Sequence, residues 1–276
     1  MIHSKTITLC ADDFGLDSGV SEGILKLISM GRLSAVSCMV NMPGFIFYAK
    51  QLLALKKSKP IKIGLHFNLT EGYLTSIPGQ SGFTLAELLI KTHMRSVKLS
   101  FIAKEFLAQL EQFTKIMQQP PDFIDGHQHV HQFPVIRKVV LDLYTQELRN
   151  YGTYIRSTWP AINLPQYRFK AKVLRFTGGK ALTKQCIKLN IPHNQYFSGI
   201  YDFAPNTNYR ELFRNWMLFA KNNTLFMCHP GESSNNSDPI AQARIKEFNY
   251  FSSNDFLKDC EEFHIQLEQD EPLEYS

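Results

Sequence analysis

Asp122-Phe123-Ile124-Asp125-Gly126-His127-Gln128-His129-Val130-His131 is a short β-prone run that leads straight into three histidines at every second position. Alternate side chains of an extended chain point the same way. Asp125, His127, His129 and His131 would therefore share one face if the strand conformation carries on through them. A histidine binds a divalent ion through one neutral ring nitrogen, and a nearby carboxylate fixes the tautomer through the other. A lone histidine on an apolar strand is usually a satisfied structural residue. Three beside an aspartate point instead to a metal site completed by ligands from elsewhere in the chain. Spacing leaves open which of the three would ligate.

The strand spans 122–127, after Pro120-Pro121. A helix over 135–150 follows it, with Pro134 suited to the first turn. Upstream, residues 6–11 form a strand ending in Asp12-Asp13-Phe14-Gly15, and then comes a helix that Asp17 or Ser18 caps and Gly31 stops. Residues 33–40 read as a strand, 45–57 as a helix and 61–67 as a strand with His66 at its end. Helical patterns cover 84–93 and 97–117. Downstream, 153–157 is a strand bearing Arg156, and 166–190 has helical spacing broken at Gly178-Gly179. Residues 196–201 are a short strand, 209–222 a helix, 224–228 a strand ending in His229-Pro230-Gly231, 255–263 a helix and 265–267 a last strand.

Strands alternating with helices make a parallel sheet. Asp12, Asp13, His66, the histidine row and His229 all fall at the C-terminal ends of strands, which in a (β/α) barrel form one face. That coincidence predicts an α/β fold, a distorted (β/α) TIM-like barrel in preference to an open doubly wound sheet. With 276 residues, 44% of them hydrophobic, the chain suffices for one large core, so residues 1–276 are expected to form a single domain.

The net charge of +5 is unevenly placed. Residues 166–190 hold Arg168, Lys170, Lys172, Arg175, Lys180, Lys184 and Lys188 and no acid, whereas Glu261, Glu262, Glu268, Asp270, Glu271 and Glu274 crowd the C-terminus. The basic stretch lacks regular aromatic interleaving, so no nucleic-acid partner is expected. It reads as a solvated helix face or as a peripheral contact with an anionic membrane surface. Cys10, Cys38, Cys186, Cys228 and Cys260 form no C-x-x-C pair and fit a reducing cytoplasm. Neither a signal-peptide core nor a membrane span is present, so a soluble cytoplasmic protein is expected.

Successive side chains diverge, so Asp12 and Asp13 suit a division of labour in which one binds a metal and the other acts as a base. A metal held by one carboxylate and two histidines can acidify a water and polarise a carbonyl, which amide or ester hydrolysis requires. His229 is placed to protonate a departing amine. Taken singly, the two aspartates could be helix caps and His229-Pro230-Gly231 a turn junction; convergence on one face favours a site.

Four stretches together, Ala11-Asp12-Asp13-Phe14-Gly15-Leu16 with Gly19 and Gly23-Ile24, Gly64-Leu65-His66-Phe67-Asn68-Leu69-Thr70-Glu71-Gly72, Asp125 to Pro134, and Cys228-His229-Pro230-Gly231, resemble the signatures of the YdjC-like carbohydrate deacetylases. That family includes chitooligosaccharide deacetylases and hopanoid-biosynthesis-associated deacetylases; the segment from about Lys170 to Phe203 looks more like the latter. The resemblance implies a hydrolase that removes the N-acetyl group of an amino sugar with one divalent metal ion, magnesium or zinc. It implies Asp13, His66 and His127 as metal ligands, Asp12 as general base and His229 as acid or substrate contact. His129 and His131 become supporting or substrate residues, and Asp125 and Arg156 orienting partners. One carboxylate and two imidazoles suit zinc or another transition ion better than magnesium. The expected substrate is an N-acetylated amino sugar, oligosaccharide or glycolipid, and a homodimer is compatible with the sequence. Two rivals remain: another metal-dependent hydrolase, such as a phosphoesterase or amidohydrolase, and a non-catalytic sugar-binding protein. The Asp-Asp on the first strand, where phosphoesterases and amidohydrolases commonly carry His-x-His, disfavours the first; retention of Asp12 disfavours the second.

Overall fold

Strands and helices alternate as β1 (Lys5–Phe14), α1 (Ser18–Ser29), β2 (Ala35–Cys38), α2 (Pro43–Lys56), β3 (Lys62–Phe67), α3 (Leu85–His93), α4 (Leu99–Met117), β4 (Phe123–Gly126), α5 (Ile136–Leu143), β5 (Tyr154–Ile155), α6 (Arg168–Leu174), α7 (Lys180–Lys188), β6 (Tyr196–Ser198), α8 (Tyr209–Phe219), β7 (Thr224–Cys228), α9 (Ala241–Ser252), α10 (Asn254–Glu262) and β8 (Ile265–Leu267). The computed structural model describes residues 4–162, 164–233 and 237–268. Asp270, Glu271 and Glu274 of the acidic run lie outside them.

All strand pairings are parallel, in the order β5-β4-β3-β2-β1-β7-β6, with β8 beside the start of β1. Helices cover the outer face, so the strands are buried on both sides and read as nearly continuous apolar runs; Ile7, Leu9, Cys10 and Ala11 of β1 and all of β7 are buried. The sheet curls into a half-barrel. Its open side lies between β5 and β6, where the Ile155 N–H donates to the Pro192 carbonyl and residues 160–162 pair with β6 through an Ala161–Phe197 bridge. The distorted (β/α) barrel expected from the strand ends is the observed fold. Among the described residues no helix is long and apolar enough to cross a membrane, and all five cysteines are free.

Several expected elements differ in extent. β1 continues through both aspartates to Phe14, because a bulge between Ala11 and Phe14, with Asp13 at φ 69°, lets the ladder to β2 resume beyond them. β4 stops at Gly126, so His127 to Gln132 is a 3₁₀ segment and the extended row of histidines does not form. The helix expected over 135–150 holds its α geometry only to Leu143; a wider π turn and a 3₁₀ turn follow, and Tyr144 donates its hydroxyl proton to the Thr153 carbonyl. α9 was not foreseen. It carries two residues that reach the barrel end.

Candidate active site

β1 sends its two carboxylates in different directions. Asp12 lies under Arg156, whose Nη1 and Nη2 donate to its two oxygens at 2.6 and 2.7 Å. Asp13, rotated by its left-handed backbone, turns the other way. Its Oδ1 accepts from His127 Nδ1 at 2.8 Å and lies 3.3 Å from His66 Nε2, while its Oδ2 accepts from Arg244 Nη2 at 2.8 Å. Burial pushes the Asp13 carboxyl up, but the His127 and Arg244 charges outweigh it and hold the group well below the usual carboxylate range.

Strand register explains how His66 is aimed. His66 on β3 stands directly opposite Asp125 on β4, so their side chains are neighbours. His66 Nδ1 donates to Asp125 Oδ1 at 2.6 Å, which Ser37 Oγ also reaches at 2.5 Å, and this leaves Nε2 facing Asp13. Burial opposes a charged Asp125; the Arg156 and His66 charges prevail and keep it low. The donor atoms of Asp13, His66 and His127 all lie within 4.8 Å of one another. A second group, Cys10, Asp12 and Asp125, is equally tight, but Arg156 Nη2 sits among its atoms at 2.7 to 2.8 Å, so a guanidinium occupies that position.

The three histidines part company. Gln128 and His129 adopt left-handed φ of 52° and 59°, which breaks the two-residue alternation. His127 turns to Asp13. His129 stays on the cavity wall, edge-on to Phe197 at 5.8 Å. His131 points back into the protein, where Nε2 donates to the Arg156 carbonyl at 3.0 Å; it is fully buried and supports Arg156 from behind. His229, just past β7, lines the cavity with its ring edge-on to Phe203 at 5.2 Å. Its backbone N–H donates to Glu247, which also accepts the Tyr201 hydroxyl at 2.5 Å. Burial pushes His131 and His229 each down to about 4 and Glu247 up to about 7.

These residues floor a cavity of about 700 Å³. Its walls are largely apolar: Leu85 and Leu89 from α3, Val173 and Leu174 from α6, with Ile200 and Phe203. Glu71 overhangs the floor, its Oε1 3.9 Å from His127 Nε2. The buried Asn68 amide shapes the loop that presents it, accepting the Thr70 and Glu71 N–H groups and donating to the Glu71 carbonyl.

Every candidate residue except His131 therefore reaches the cavity or the buried charge network beneath it. Arg244, Asp238, which accepts from Arg244 Nε at 2.6 Å, Glu247 and Glu71 were missed. Arg244 meets Asp13 across 231 positions of chain, which no local pattern reveals. The helical periodicity of 241–252 was the one available signal.

Three buried donors that converge, one of them held in a single tautomer by a carboxylate, form a set suited to a divalent ion. Fold and site together define a parallel α/β barrel protein with a carboxylate and imidazole centre on the face formed by its strand ends. The chain belongs to the YdjC-like protein family, whose model matches residues 6–262. It is 35% identical over 140 residues to a chitooligosaccharide deacetylase of Proteus mirabilis, an alignment covering 50% of this chain and 54% of the relative. It is 32% identical over 160 residues to a carbohydrate deacetylase of Danio rerio, covering 54% and 49%. The chain thus spans about half the length of the curated relatives it matches. A solved structure from Enterococcus faecalis V583, named for cellobiose-phosphate cleavage, shares the fold over 97% of this chain and 98% of its own, with TM-score 0.70 and 20% identity.

Proposed function

We propose that this chain, acting as one domain over residues 1–276, is a metal-dependent hydrolase that removes the N-acetyl group of an amino sugar in an oligosaccharide or a lipid-linked glycan. The observation that carries this reading is the convergence of Asp13, His66 and His127 beside an Arg156-held Asp12 on the floor of one cavity. Membership of the YdjC-like family and relatives named as deacetylases support it.

In this proposal Asp13, His66 and His127 hold the ion. The ion would supply Lewis acidity, polarising the acetamide carbonyl and lowering the pKa of a water. Asp12 takes the proton of the attacking water, and the fork of Arg156 fixes both carboxylate oxygens so that one orientation is held throughout. Asp125 aims His66, and Arg244 holds the far oxygen of Asp13. His229 is neutral at pH 7 in its buried setting. It serves as acid by taking up a proton from solvent as negative charge develops on the acetamide and handing that proton to nitrogen as the C–N bond breaks, while the proton that Asp12 took from water returns to solvent. The products are acetate and the free amine. The donor set favours zinc or another transition ion over magnesium, which prefers oxygen ligands. A volume of about 700 Å³ with largely apolar walls supports a substrate in which a sugar unit bears an apolar substituent.

Acetate release from N-acetylglucosamine, its oligosaccharides and a glycolipid, by metal-replete protein beside Asp12→Asn, tests the reading. Acetate from one substrate class is expected, with Asp12→Asn slower by about 10²–10⁴-fold while its bound metal persists. No acetate from any of them, or an Asp12→Asn variant as fast as the parent, would sink it.

A further inference from the structure

α6 buries none of its residues. Along it and the turn that follows, Phe169, Val173 and Phe176 stand at i, i+4 and i+7, the spacing of a stripe that a globular protein ordinarily turns inward. Here the stripe faces out, with exposures of 76%, 42% and 75%. A cation precedes each of the three: Arg168, Lys172 and Arg175 stand immediately before Phe169, Val173 and Phe176, and the Arg175 guanidinium lies 5.6 Å over the Phe176 ring. No acid occurs between residues 166 and 190. The inner side of the same helix is a wall of the cavity through Leu174, with Val173 at the edge between the two faces, and Lys170 is turned inward to the Tyr201 carbonyl.

The helix is also tied to the site. Gln132, at the end of the histidine segment, donates to the Leu174 carbonyl and to Thr177 Oγ1, while its own carbonyl accepts from Arg137. Gly178, at φ 137°, packs so closely that a Cβ would run into that carbonyl.

We propose that the outer face of α6, from Arg168 to Phe176, docks on an anionic lipid bilayer and sets the α6 wall of the cavity against the lipid. The two phenylalanines would enter the interfacial region while the flanking cations meet lipid phosphates. Charge complementarity requires an anionic surface. Continuity of the stripe with an apolar cavity wall favours hydrocarbon over a polyanion. The inference stands apart from the deacetylase reading, since it concerns where the protein sits and not what it cleaves.

Flotation of the full, metal-loaded chain with vesicles tests it. Binding is expected to vesicles of equal parts phosphatidylcholine and phosphatidylglycerol, falling as salt rises, with little binding to phosphatidylcholine alone. Phe169→Ala/Phe176→Ala should lower the partition coefficient by about tenfold or more, and Lys172→Gln or Arg175→Gln by about fivefold each. All of these residues lie on the solvent side, so thermal unfolding should be unchanged. The proposal is overturned by absence of binding, by equal binding to neutral vesicles, or by a Phe169→Ala/Phe176→Ala variant that floats like the parent. It is equally overturned if that variant instead dissolves a homodimer on size exclusion, or if the face retains an RNA oligonucleotide and no vesicle.

Discussion

Arg156 is the residue on which the buried charges depend. It lies fully buried between Asp12 and Asp125, with Cys10 also against its Nη2, and His131 holds its backbone. Arg156→Met would leave two carboxylates without their counter-charge in a medium where an unpaired ion is costly. Urea denaturation should show a loss of about 3–5 kcal/mol; a loss under 1 would mean the network is not coupled as described. Asp125→Asn removes the carboxylate that aims His66 and one of the two on Arg156, whose other partner, Asp12, remains. His66 would keep its position but lose its tautomer lock, and calorimetric titration should show metal binding about 10–100-fold weaker, with the fold intact. The buried histidines supply a pH dependence. His131 and His229 are pushed down to about 4, so between an unfolded value near 6.5 and that point the denatured chain binds protons that the native chain refuses. Stability carried by their neutral forms is present above about pH 6.5 and is lost on acidification. His129, also pushed down by burial, acts in the same sense. Glu247 acts oppositely: raised to about 7, it binds a proton in the native state that the unfolded state has already released, a contribution lost as pH rises through 7. Three imidazoles are pushed down against one carboxyl pushed up, and His66, which Asp125 raises to about 10 despite its burial, holds its proton in both states over most of this range, so metal-free protein should lose stability from pH 6.5 to 4.5. A flat profile by denaturant titration would contradict this balance.

At the level of elements, the segment from β4 to α7 does the most to shape the site. β4 must end at Gly126 for His127 to turn toward Asp13, and the 3₁₀ segment that follows is held by contacts from the α6–α7 junction. Gly178→Ala should therefore disturb more than a turn. It places a methyl group against the Gln132 carbonyl and forces a side-chain residue to φ 137°, so a loss of about 1–3 kcal/mol is expected. Thermal denaturation checks the stability, and metal affinity reports whether the disturbance reaches His127. α9 works from the opposite side. Phe248 and Phe251 bury against the core while Arg244 and Glu247 of the same helix reach the site, so packing and site placement are joined in one element.

At the level of the whole molecule, the three proposed ligands come from β1, from β3 and from just past β4, so binding an ion would tie together strands that lie far apart in sequence. The unfolded chain has no such convergence. Zinc at about 100 times its dissociation constant should thus raise the unfolding free energy by about 2.7 kcal/mol, visible as a rise in melting temperature that a chelator reverses. No shift would count against an ion at this site. The chain's apolar stripe and the floor that carries Asp13, His66 and His127 lie on two sides of one cavity wall, which is why docking and chemistry are best tested independently.

Much of the architecture was legible in the amino-acid order, because parallel strands covered on both faces must be apolar runs and their C-terminal ends must carry what is polar. Asp12, Asp13, His66, His127 and His229 could be picked out from that rule and from the resemblance, and β7 and β8 appear at the expected residues. What only the tertiary structure decided are the features that rest on local backbone geometry and long-range meeting. The bulge that swings Asp13 away from Asp12, and the left-handed pair Gln128 and His129 that scatters the histidine row, follow from packing against neighbouring strands, where propensity is silent. Arg244 and Glu247 come from a helix over two hundred positions away from Asp13, and a sequence records such a contact in no local pattern. Order along the chain determines which side chains are available; the curl of the sheet determines which of them meet.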